Sequence, residues 1–154
     1  MLLWCSMKEK SCGAIVFNNN SVLIIEQFQG FFSFPKGHVE KGEKEIETAI
    51  REVKEETNID IEIVSNKKYK IHYKIGGRKN KEVVFFIAKA ISFDLKSQEN
   101  EIISCEWIDK DKVYDLPVWE GDKIFFRLLE EREDYFSLKL VYDEDGKLLE
   151  SVIN

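Results

Sequence analysis

The sequence predicts a single α/β domain whose mixed sheet lies between helices. Two observations carry this prediction. Short β-rich runs stand on both sides of an amphipathic helix, and a second amphipathic helix follows late in the chain. The 154 residues suffice for one domain with a sizeable core. Two prolines, with no internal repeat and no low-complexity tract, argue against linkers or repeat arrays.

The first half of the chain is predicted to contain two strands, a loop and the first helix. A cluster of turn-forming residues at 18–21 separates two β-rich runs. A Phe-rich loop follows, and an acidic amphipathic pattern comes after it. These segments are strands at residues 11–17 and 22–26, a loop at 29–36 and a helix at about 44–57.

The second half is predicted to add strands, one helix and a terminal hairpin. Tyr69, Ile71 and Tyr73 alternate with polar residues, which is the period of a half-exposed strand. The last segment has β-rich runs on both sides of an Asp- and Gly-containing turn, as in a hairpin. The predicted strands are 59–64, 68–75, 82–90, 102–108, 136–142 and 147–153, and the predicted helix is 122–131.

Charge and cysteine content narrow the functional classes. A net charge of −6 argues against a nucleic-acid partner, although a metal can supply local positive charge for a phosphorylated small molecule. Cys5, Cys12 and Cys105 are scattered and odd in number, which predicts free thiols in a reducing compartment. No signal peptide and no membrane span is expected. We therefore expect a cytoplasmic protein without a membrane partner, either a monomer or a homodimer.

The acidic helix carries the most informative pattern. At about 100° per residue, Glu52, Glu55 and Glu56 share one side of the helix, next to its apolar face. That apolar face is predicted to consist of Ile46, Ala49, Ile50, Val53 and Thr57. Carboxylates at the edge of a core can hold a hard divalent cation such as Mg²⁺. The alternative is a solvated charged face that Arg51 and Lys54 balance.

Residues 37–59 resemble the signature of the Nudix hydrolase family, Gly-x5-Glu-x7-Arg-Glu-U-x-Glu-Glu-x-Gly-U, where U is a bulky aliphatic residue. Eight of its nine specified positions match. The matches are Gly37, Glu43, Arg51, Glu52, Val53, Glu55, Glu56 and Ile59. Asn58 replaces the last Gly, at a position predicted to cap the helix with a left-handed backbone, which Asn also tolerates.

The resemblance implies a Nudix-type α/β/α sandwich with a central mixed sheet and a metal-dependent hydrolase. We assign residues 7–134 to the Nudix hydrolase domain that the resemblance implies. Residues 135–154, which lie beyond the region that the resemblance covers well, are predicted to form a C-terminal hairpin extension of the same domain. The resemblance also implies Mg²⁺, with Mn²⁺ as an alternative, held by carboxylates and by a backbone carbonyl. The implied ligands are Glu52, Glu55, Glu56, the carbonyl of Lys36 or Gly37, and Glu101 from a distant loop. Arg51 is expected to orient the carboxylates through an ion pair with Glu43.

Residues 32–43 add a likeness to the asymmetrical diadenosine tetraphosphate hydrolases, because an aromatic residue precedes Pro-Lys-Gly-His. By that resemblance, Lys36 and His38 face the polyphosphate of a nucleotide substrate. Phe85 and Tyr73 are candidates for stacking on the base, although both could instead be core aromatics. Lys81 is a candidate for the outer phosphates. Weaker candidates are Phe32, Lys79 and Trp119 for the substrate and Glu99 and Glu106 for the metal.

Two further functions stay open from the sequence. Pro-Lys-Gly-His also occurs in relatives that act on nucleoside triphosphates, so a pyrophosphatase that releases a nucleoside monophosphate and pyrophosphate is an alternative. A catalytically silent nucleotide-binding module is another. It is disfavoured because Glu52, Glu55 and Glu56 are all present. Capped RNA is disfavoured as a substrate by the acidic balance of the chain.

Overall fold

A computed structural model describes residues 9–28, 30–76, 79–97, 102–132 and 135–154, and for Lys79 and Ile103 it describes the backbone alone. These residues contain ten strands that belong to one sheet. In chain order the strands are β1 (Glu9–Asn18), β2 (Ser21–Gln27), β3 (Phe32–Ser33), β4 (Lys36–His38), β5 (Ile61–Ile63), β6 (Tyr69–Ile75), β7 (Lys79–Ala90), β8 (Ile102–Asp109), β9 (Ser137–Tyr142) and β10 (Leu148–Ile153).

The described residues also contain two α-helices, α1 at Glu45–Thr57 and α2 at Glu120–Glu131, and a 3-10 helix at Lys110–Asp115. The main strand order of the sheet is β10-β9-β6-β7-β1-β2-β3, and β4 pairs with β1, β5 with β7 and β8 with β2. β1 is parallel to β7 and β6 is parallel to β9, whereas the other pairs are antiparallel. The sheet is therefore mixed, as predicted.

Alternating residues of the central strands divide the core between the two helices. Ala14 and Val16 of β1 pack in one cluster with Val53 of α1. Ile15, between them, belongs to a second cluster that contains Phe125 of α2. Because successive strand side chains point to opposite faces, α1 and α2 cover opposite faces of the sheet. The predicted α/β/α sandwich is confirmed.

The C-terminal hairpin is built into this core. Phe136, Leu138, Leu140 and Tyr142 are all at most 2% exposed and pack in the cluster of α2. Their spacing of two puts Leu138, Leu140 and Tyr142 on one face of β9, and Phe136 directly precedes the strand. β9 itself lies between β10 and β6, so that β10 forms the edge of the sheet. The hairpin thus supplies core residues as well as an edge strand.

Two local predictions were wrong. The loop predicted at 29–36 contains β3 and the start of β4, which are too short for periodicity to reveal. Ile50 was placed on the buried face of α1 but is 40% exposed. The helix is turned so that Glu56, 5% exposed, faces the sheet instead, where its carboxylate accepts the backbone N–H of Lys36. A hydrogen bond to the buried carboxylate offsets part of its desolvation cost.

Cys12 and Cys105 are free thiols, and burial raises the pKa of Cys12 to about 12. A buried thiol with a raised pKa is chemically inert, so Cys12 acts as a small core residue. Cys5 lies outside the described residues. None of the helices within the described ranges is long and apolar enough to cross a membrane.

Candidate active site

Helix α1 presents the acidic side chains, and both of its ends are fixed by hydrogen bonds. At the start, the Lys44 N–H donates to the Glu47 carboxylate over 2.8 Å. At the end, Asn58 adopts the predicted left-handed backbone, with φ of 66°, and its N–H donates to the Lys54 carbonyl. Such caps satisfy backbone groups that a helix end leaves unpaired. The two ends of the helix that carries the carboxylates are thereby defined.

Arg51 joins the acidic residues. Its Nε and Nη2 donate to the two oxygens of Glu43 over 2.7 and 2.9 Å, which is a bidentate pair. Its Nη1 lies 2.8 Å from Glu52 Oε1 and 3.1 Å from Glu55 Oε2. Nη2 also donates to the His38 carbonyl over 3.0 Å. The expected Arg51–Glu43 ion pair is present, and one guanidinium ties the preceding loop to two of the three candidate ligands.

The Glu43 carboxyl shows the electrostatic effect of this pairing. The hydrogen bond from Arg51, followed by that from Thr48, lowers the pKa of Glu43 to about 2. Donors to the ionised form favour it over the protonated form. Glu43 therefore stays charged over the whole physiological range and keeps Arg51 in place.

Strand β4 approaches α1 closely, and Gly37 makes this approach feasible. A Cβ on Gly37 would lie 2.1 Å from the Glu52 carboxylate. On the neighbouring strand, a Cβ on Gly13 would lie 2.1 Å from the Pro35 carbonyl oxygen. Lys36, between these contacts, donates its N–H to Glu56 Oε1 over 2.9 Å. We call Gly37, Arg51, Glu52, Glu55 and Glu56 the carboxylate site.

The donors of the carboxylate site suit a hard divalent cation, which prefers carboxylate and carbonyl oxygens. The Glu52 carboxylate occupies the space that a side chain at residue 37 would fill. Within the described ranges, however, no three His, Cys, Asp or Glu side chains converge as a ready set of ligands. Glu52 and Glu55 are directed toward Arg51 instead. The residues fit a metal by chemistry and position, and ligation would require some of these carboxylates to turn away from Arg51.

A cavity of about 320 Å³ opens beside β4, and we call it the cleft. Three residues predicted to bind substrate, Lys36, Tyr73 and Lys81, line it together. The full lining is Gln27, Ser33, Lys36, Tyr73, Ile75, Lys81, Trp119, Asp122 and Tyr142. Lys36 connects the two regions, since its side chain lines the cleft and its backbone N–H binds Glu56. The cleft therefore lies next to the carboxylate site.

Phe85 and His38 do not line the cleft. Phe85 is 3% exposed and packs between Phe34 and Phe125, at centroid distances of 5.9 and 5.4 Å. It is a core aromatic here, with no free ring face for a base. The His38 side chain is exposed and does not line the cleft. Glu101 lies outside the described residues.

Three of the five weaker candidates have side chains that the structure describes. Glu106 is exposed on β8, and Phe32 packs at the border of the core cluster of α2. Trp119 does line the cleft. Glu99 and the Lys79 side chain lie outside what the structure describes.

Sequence reasoning missed Asp122, which forms part of the cleft wall in the first turn of α2. The Tyr73 hydroxyl donates to Asp122 Oδ1 over 2.8 Å. Burial raises the pKa of Asp122, against the opposing effects of this hydrogen bond and of the Lys36 and Lys81 charges. Tyr73 and Asp122 are far apart in the chain, so no local spacing could have paired them. An acidic residue in a first helical turn would otherwise be read as a favourable partner of the helix dipole.

The hairpin also contributes to the cleft. Tyr142, the last residue of β9, lines it and accepts the backbone N–H of Gly121 over 2.8 Å. The Trp119 ring meets Tyr142 edge to face at 5.1 Å between centroids. A Cβ on Gly146, in the hairpin turn, would lie 3.1 Å from the Trp119 ring. β9 and its turn therefore position the aromatic wall of the cleft.

A larger cavity of about 560 Å³ lies at another part of the surface, near the starts of β6 and β9. Its lining includes Lys67, Lys68, Lys70 and the exposed Tyr135. It contains none of the residues predicted to bind metal or substrate. Among the described residues, the larger cavity shares no lining residue with the cleft.

The chain is similar to known proteins over most of its length. The model of a family described as the NUDIX domain matches residues 7–129. Nudix hydrolase 2 of Arabidopsis thaliana is 30% identical over 141 residues, which cover 87% of this chain and 49% of that protein. The chain thus spans about half the length of that relative. The asymmetrical bis(5'-nucleosyl)-tetraphosphatase of Rattus norvegicus is 27% identical over 135 residues, covering 76% of this chain and 90% of the rat protein.

Solved structures share the fold. A mutator MutT protein from Bacillus halodurans superimposes with a TM-score of 0.73 at 25% identity, covering 95% of this chain and 97% of that one. An Ap4A hydrolase from C. elegans, in a binary complex, has a TM-score of 0.69 at 23% identity. That match covers 79% of this chain and 95% of the C. elegans chain.

Proposed function

Since the chain belongs to the Nudix family, we propose that it hydrolyses a pyrophosphate bond in a nucleotide, with the help of a divalent cation. The substrate that we propose is a dinucleoside polyphosphate, with diadenosine tetraphosphate cleaved to ATP and AMP. The likeness to the rat tetraphosphatase, over 90% of that protein, supports this choice.

The observation that carries the proposal is the double contact of Lys36. Its side chain lines the cleft while its backbone N–H binds the Glu56 carboxylate. A nucleotide held in the cleft would therefore place its phosphates toward the acidic side chains of α1. Lys36 and Lys81 can offer ammonium groups to phosphate oxygens, for which a compact charge is well suited. Proximity of this kind lowers the barrier by positioning the reacting groups.

Mg²⁺ or Mn²⁺ would be held by Glu52, Glu55 and Glu56, with the carbonyl of Lys36 or Gly37 and with Glu101 as further candidate ligands. When bound, such a cation neutralises charge on the phosphoryl oxygens and lowers the pKa of a bound water. Neighbouring residues of the chain position these carboxylates. Arg51 keeps Glu52 and Glu55 near one another through Nη1, and Glu43 holds Arg51 from the opposite side.

A nucleoside triphosphate pyrophosphatase is the second candidate, and the size of the cleft favours it. About 320 Å³ lies at the small end of the range for ligand pockets and suits one nucleoside rather than two. A dinucleotide would leave its second nucleoside outside the cleft, whereas a triphosphate needs no second site. The two candidates differ in the leaving group, which is a nucleotide in one case and pyrophosphate in the other.

Product analysis tests the proposal. The protein is incubated with Mg²⁺ and, separately, with diadenosine tetraphosphate, nucleoside triphosphates and ADP-ribose, and the products are separated by chromatography. ATP and AMP from the dinucleotide, formed faster than any other product, are expected. Pyrophosphate from triphosphates at a higher rate would replace the proposed substrate with the second candidate. Turnover of none of these compounds would favour a nucleotide-binding module.

A further inference from the structure

The cleft has a polar inner wall that the chemistry at phosphorus does not use. Lys36 and Lys81 account for the phosphates, and the carboxylate site accounts for the metal. Asp122, Ser33 and the Trp119 ring remain in the lining without a role. Together they offer a hydrogen-bond acceptor, a hydroxyl and an aromatic surface, which are the groups that recognise a nucleobase.

Asp122 is held in one orientation. Its Oδ1 accepts the Tyr73 hydroxyl over 2.8 Å, and its backbone N–H donates to the Trp119 carbonyl over 2.9 Å. An ionised carboxylate accepts hydrogen bonds and cannot donate them. Burial raises the pKa of Asp122, whereas the Tyr73 hydrogen bond and the charges of Lys36 and Lys81 favour the ionised form. When ionised, Asp122 presents an acceptor of fixed orientation to whatever enters the cleft.

Ser33 supplies a second, independent sign of a ligand. It is 8% exposed, and its Oγ is the one buried side-chain polar atom without a hydrogen-bond partner among the described residues. Leaving such a group unpaired costs roughly 1–3 kcal/mol. Because Ser33 lines the same cavity as Asp122, a bound polar molecule can supply the missing partner.

Trp119 gives the cleft a planar wall. Its ring lies 5.5 Å from that of Phe31 and 5.1 Å from that of Tyr142, between centroids. These contacts from the loop and from the hairpin fix the ring before a ligand arrives. Stacking of a base on an aromatic side chain contributes roughly 1–3 kcal/mol and tolerates any base, so stacking alone cannot select one.

From this arrangement we infer that Asp122 selects the nucleobase, by accepting a hydrogen bond from an exocyclic amino group of a base stacked on Trp119. Adenine carries such an amino group at C6, whereas hypoxanthine carries a carbonyl oxygen there. A carbonyl oxygen facing the Asp122 carboxylate would be repelled by it, and neither group would have a hydrogen-bond donor. The inference rests on the proposed function, since it treats the cleft as the place where the substrate's nucleoside binds.

Equilibrium binding tests the inference without requiring turnover. AMP and IMP are titrated separately into the protein by calorimetry, in buffer with a chelator, for the wild type and for Asp122→Asn. The introduced amide can still accept the Tyr73 hydroxyl, but it replaces the second carboxylate oxygen with a donor. The wild type is expected to bind AMP about tenfold more tightly than IMP, which is in the range of one base contact. In Asp122→Asn the ratio should fall to one or reverse.

Asp115→Asn is the matched control, since Asp115 is exposed on the 3-10 helix and does not line the cleft. It should leave the ratio of AMP to IMP affinity unchanged. Ser33→Ala gives a second readout with effects of opposite sign: a higher melting temperature, because the unpaired hydroxyl is gone, and a several-fold weaker affinity for AMP. The inference is overturned if Asp122→Asn leaves the ratio of AMP to IMP affinity unchanged. It is also overturned if the wild type binds neither nucleotide or binds both equally.

Turnover of diadenosine tetraphosphate separates this inference from the proposed function. If the wild type hydrolyses diadenosine tetraphosphate but Asp122→Asn keeps the wild-type ratio of AMP to IMP affinity, the role of Asp122 is refuted and the proposed function stands. A ratio that collapses in Asp122→Asn, in a wild type that hydrolyses none of the nucleotides tested, upholds the selective pocket and refutes the proposed hydrolase.

Discussion

The carboxylate site and the cleft differ in how far along the chain their residues are gathered. The residues of the carboxylate site lie between Gly37 and Glu56, in one strand and in the helix that follows it in the chain. The cleft combines residues from Gln27 to Tyr142, on strands and a helix from both halves of the chain. Local spacing therefore reveals the carboxylate site, whereas the assembly of distant elements forms the cleft.

The two regions also differ in the forces that shape them. Charged hydrogen bonds from Arg51 hold Glu43, Glu52 and Glu55. Packing of α2 against β9 instead sets the cleft wall, with Tyr142 bound to the Gly121 N–H. Changes in the carboxylate site should therefore act on kcat, and changes in the cleft on nucleotide affinity.

The largest effect is expected from Glu56→Gln. Gln keeps an oxygen for the Lys36 N–H but removes a charged ligand, and metal stabilisation of a phosphoryl transition state is worth several kcal/mol. We expect kcat to fall by about 10³-fold, since each 1.4 kcal/mol is tenfold, with AMP affinity unchanged. Steady-state kinetics and calorimetry measure the two quantities. Glu47→Gln, on the exposed side of the same helix, is the control, and most activity remaining in Glu56→Gln would refute the metal assignment.

Leu138→Ala tests whether the hairpin belongs to the body of the domain. Leu138 is 0% exposed in the core cluster of α2, so its truncation should lower the free energy of unfolding by about 3 kcal/mol. Leu149→Ala, at a position 60% exposed on β10, should change it by less than about 0.5 kcal/mol. Urea unfolding measures both. Equal, small effects would mean that the hairpin is a separable appendage.

Gly37→Ala should separate positioning from binding. The added Cβ would lie 2.1 Å from the Glu52 carboxylate and must displace it. Because a displacement of about 1 Å in a catalytic group can cost about 10²-fold, we expect kcat to fall by about that factor. AMP affinity and melting temperature should stay near those of the wild type. A loss of AMP affinity equal to the loss of kcat would contradict the division between the two regions.

The smallest effect concerns acid stability. The pKa of Glu43 is lowered to about 2 from an ordinary 4.5, first by the Arg51 hydrogen bond. Since the folded protein binds the proton less readily than the unfolded chain, this pair stabilises the fold above about pH 4.5. The contribution is lost as the pH falls toward 2. The stability difference between wild type and Glu43→Gln, from urea unfolding between pH 6 and 2, should shrink in that window, and a constant difference would refute the pairing.

The sequence predicted those parts of the molecule that depend on local spacing. Periodicity predicted the long strands in their order along the chain and both α-helices. The signature predicted the left-handed backbone of Asn58 and the pairing of Arg51 with Glu43. The position of Lys36, Tyr73 and Lys81 in one cleft agrees with the choice of candidates made from the resemblance.

The remainder depends on tertiary placement. Ile50 was expected on the buried face of α1 and is 40% exposed, whereas Glu56, expected at the edge of the core, is 5% exposed and contacts β4. Phe85 could not be assigned to the core or to the cleft until the packing of Phe34 and Phe125 around it was known. Asp122 has no local signal, because its partner Tyr73 comes from a distant strand.

The metal dependence of turnover shows whether the carboxylate site acts by holding a divalent cation. Hydrolysis of diadenosine tetraphosphate is followed while Mg²⁺ is titrated into protein freed of metal by a chelator. We expect no hydrolysis before Mg²⁺ is added, then ATP and AMP in equal amounts, with Glu56→Gln needing more Mg²⁺ for half-maximal rate. Hydrolysis at full rate in the presence of the chelator would contradict this role of the carboxylate site.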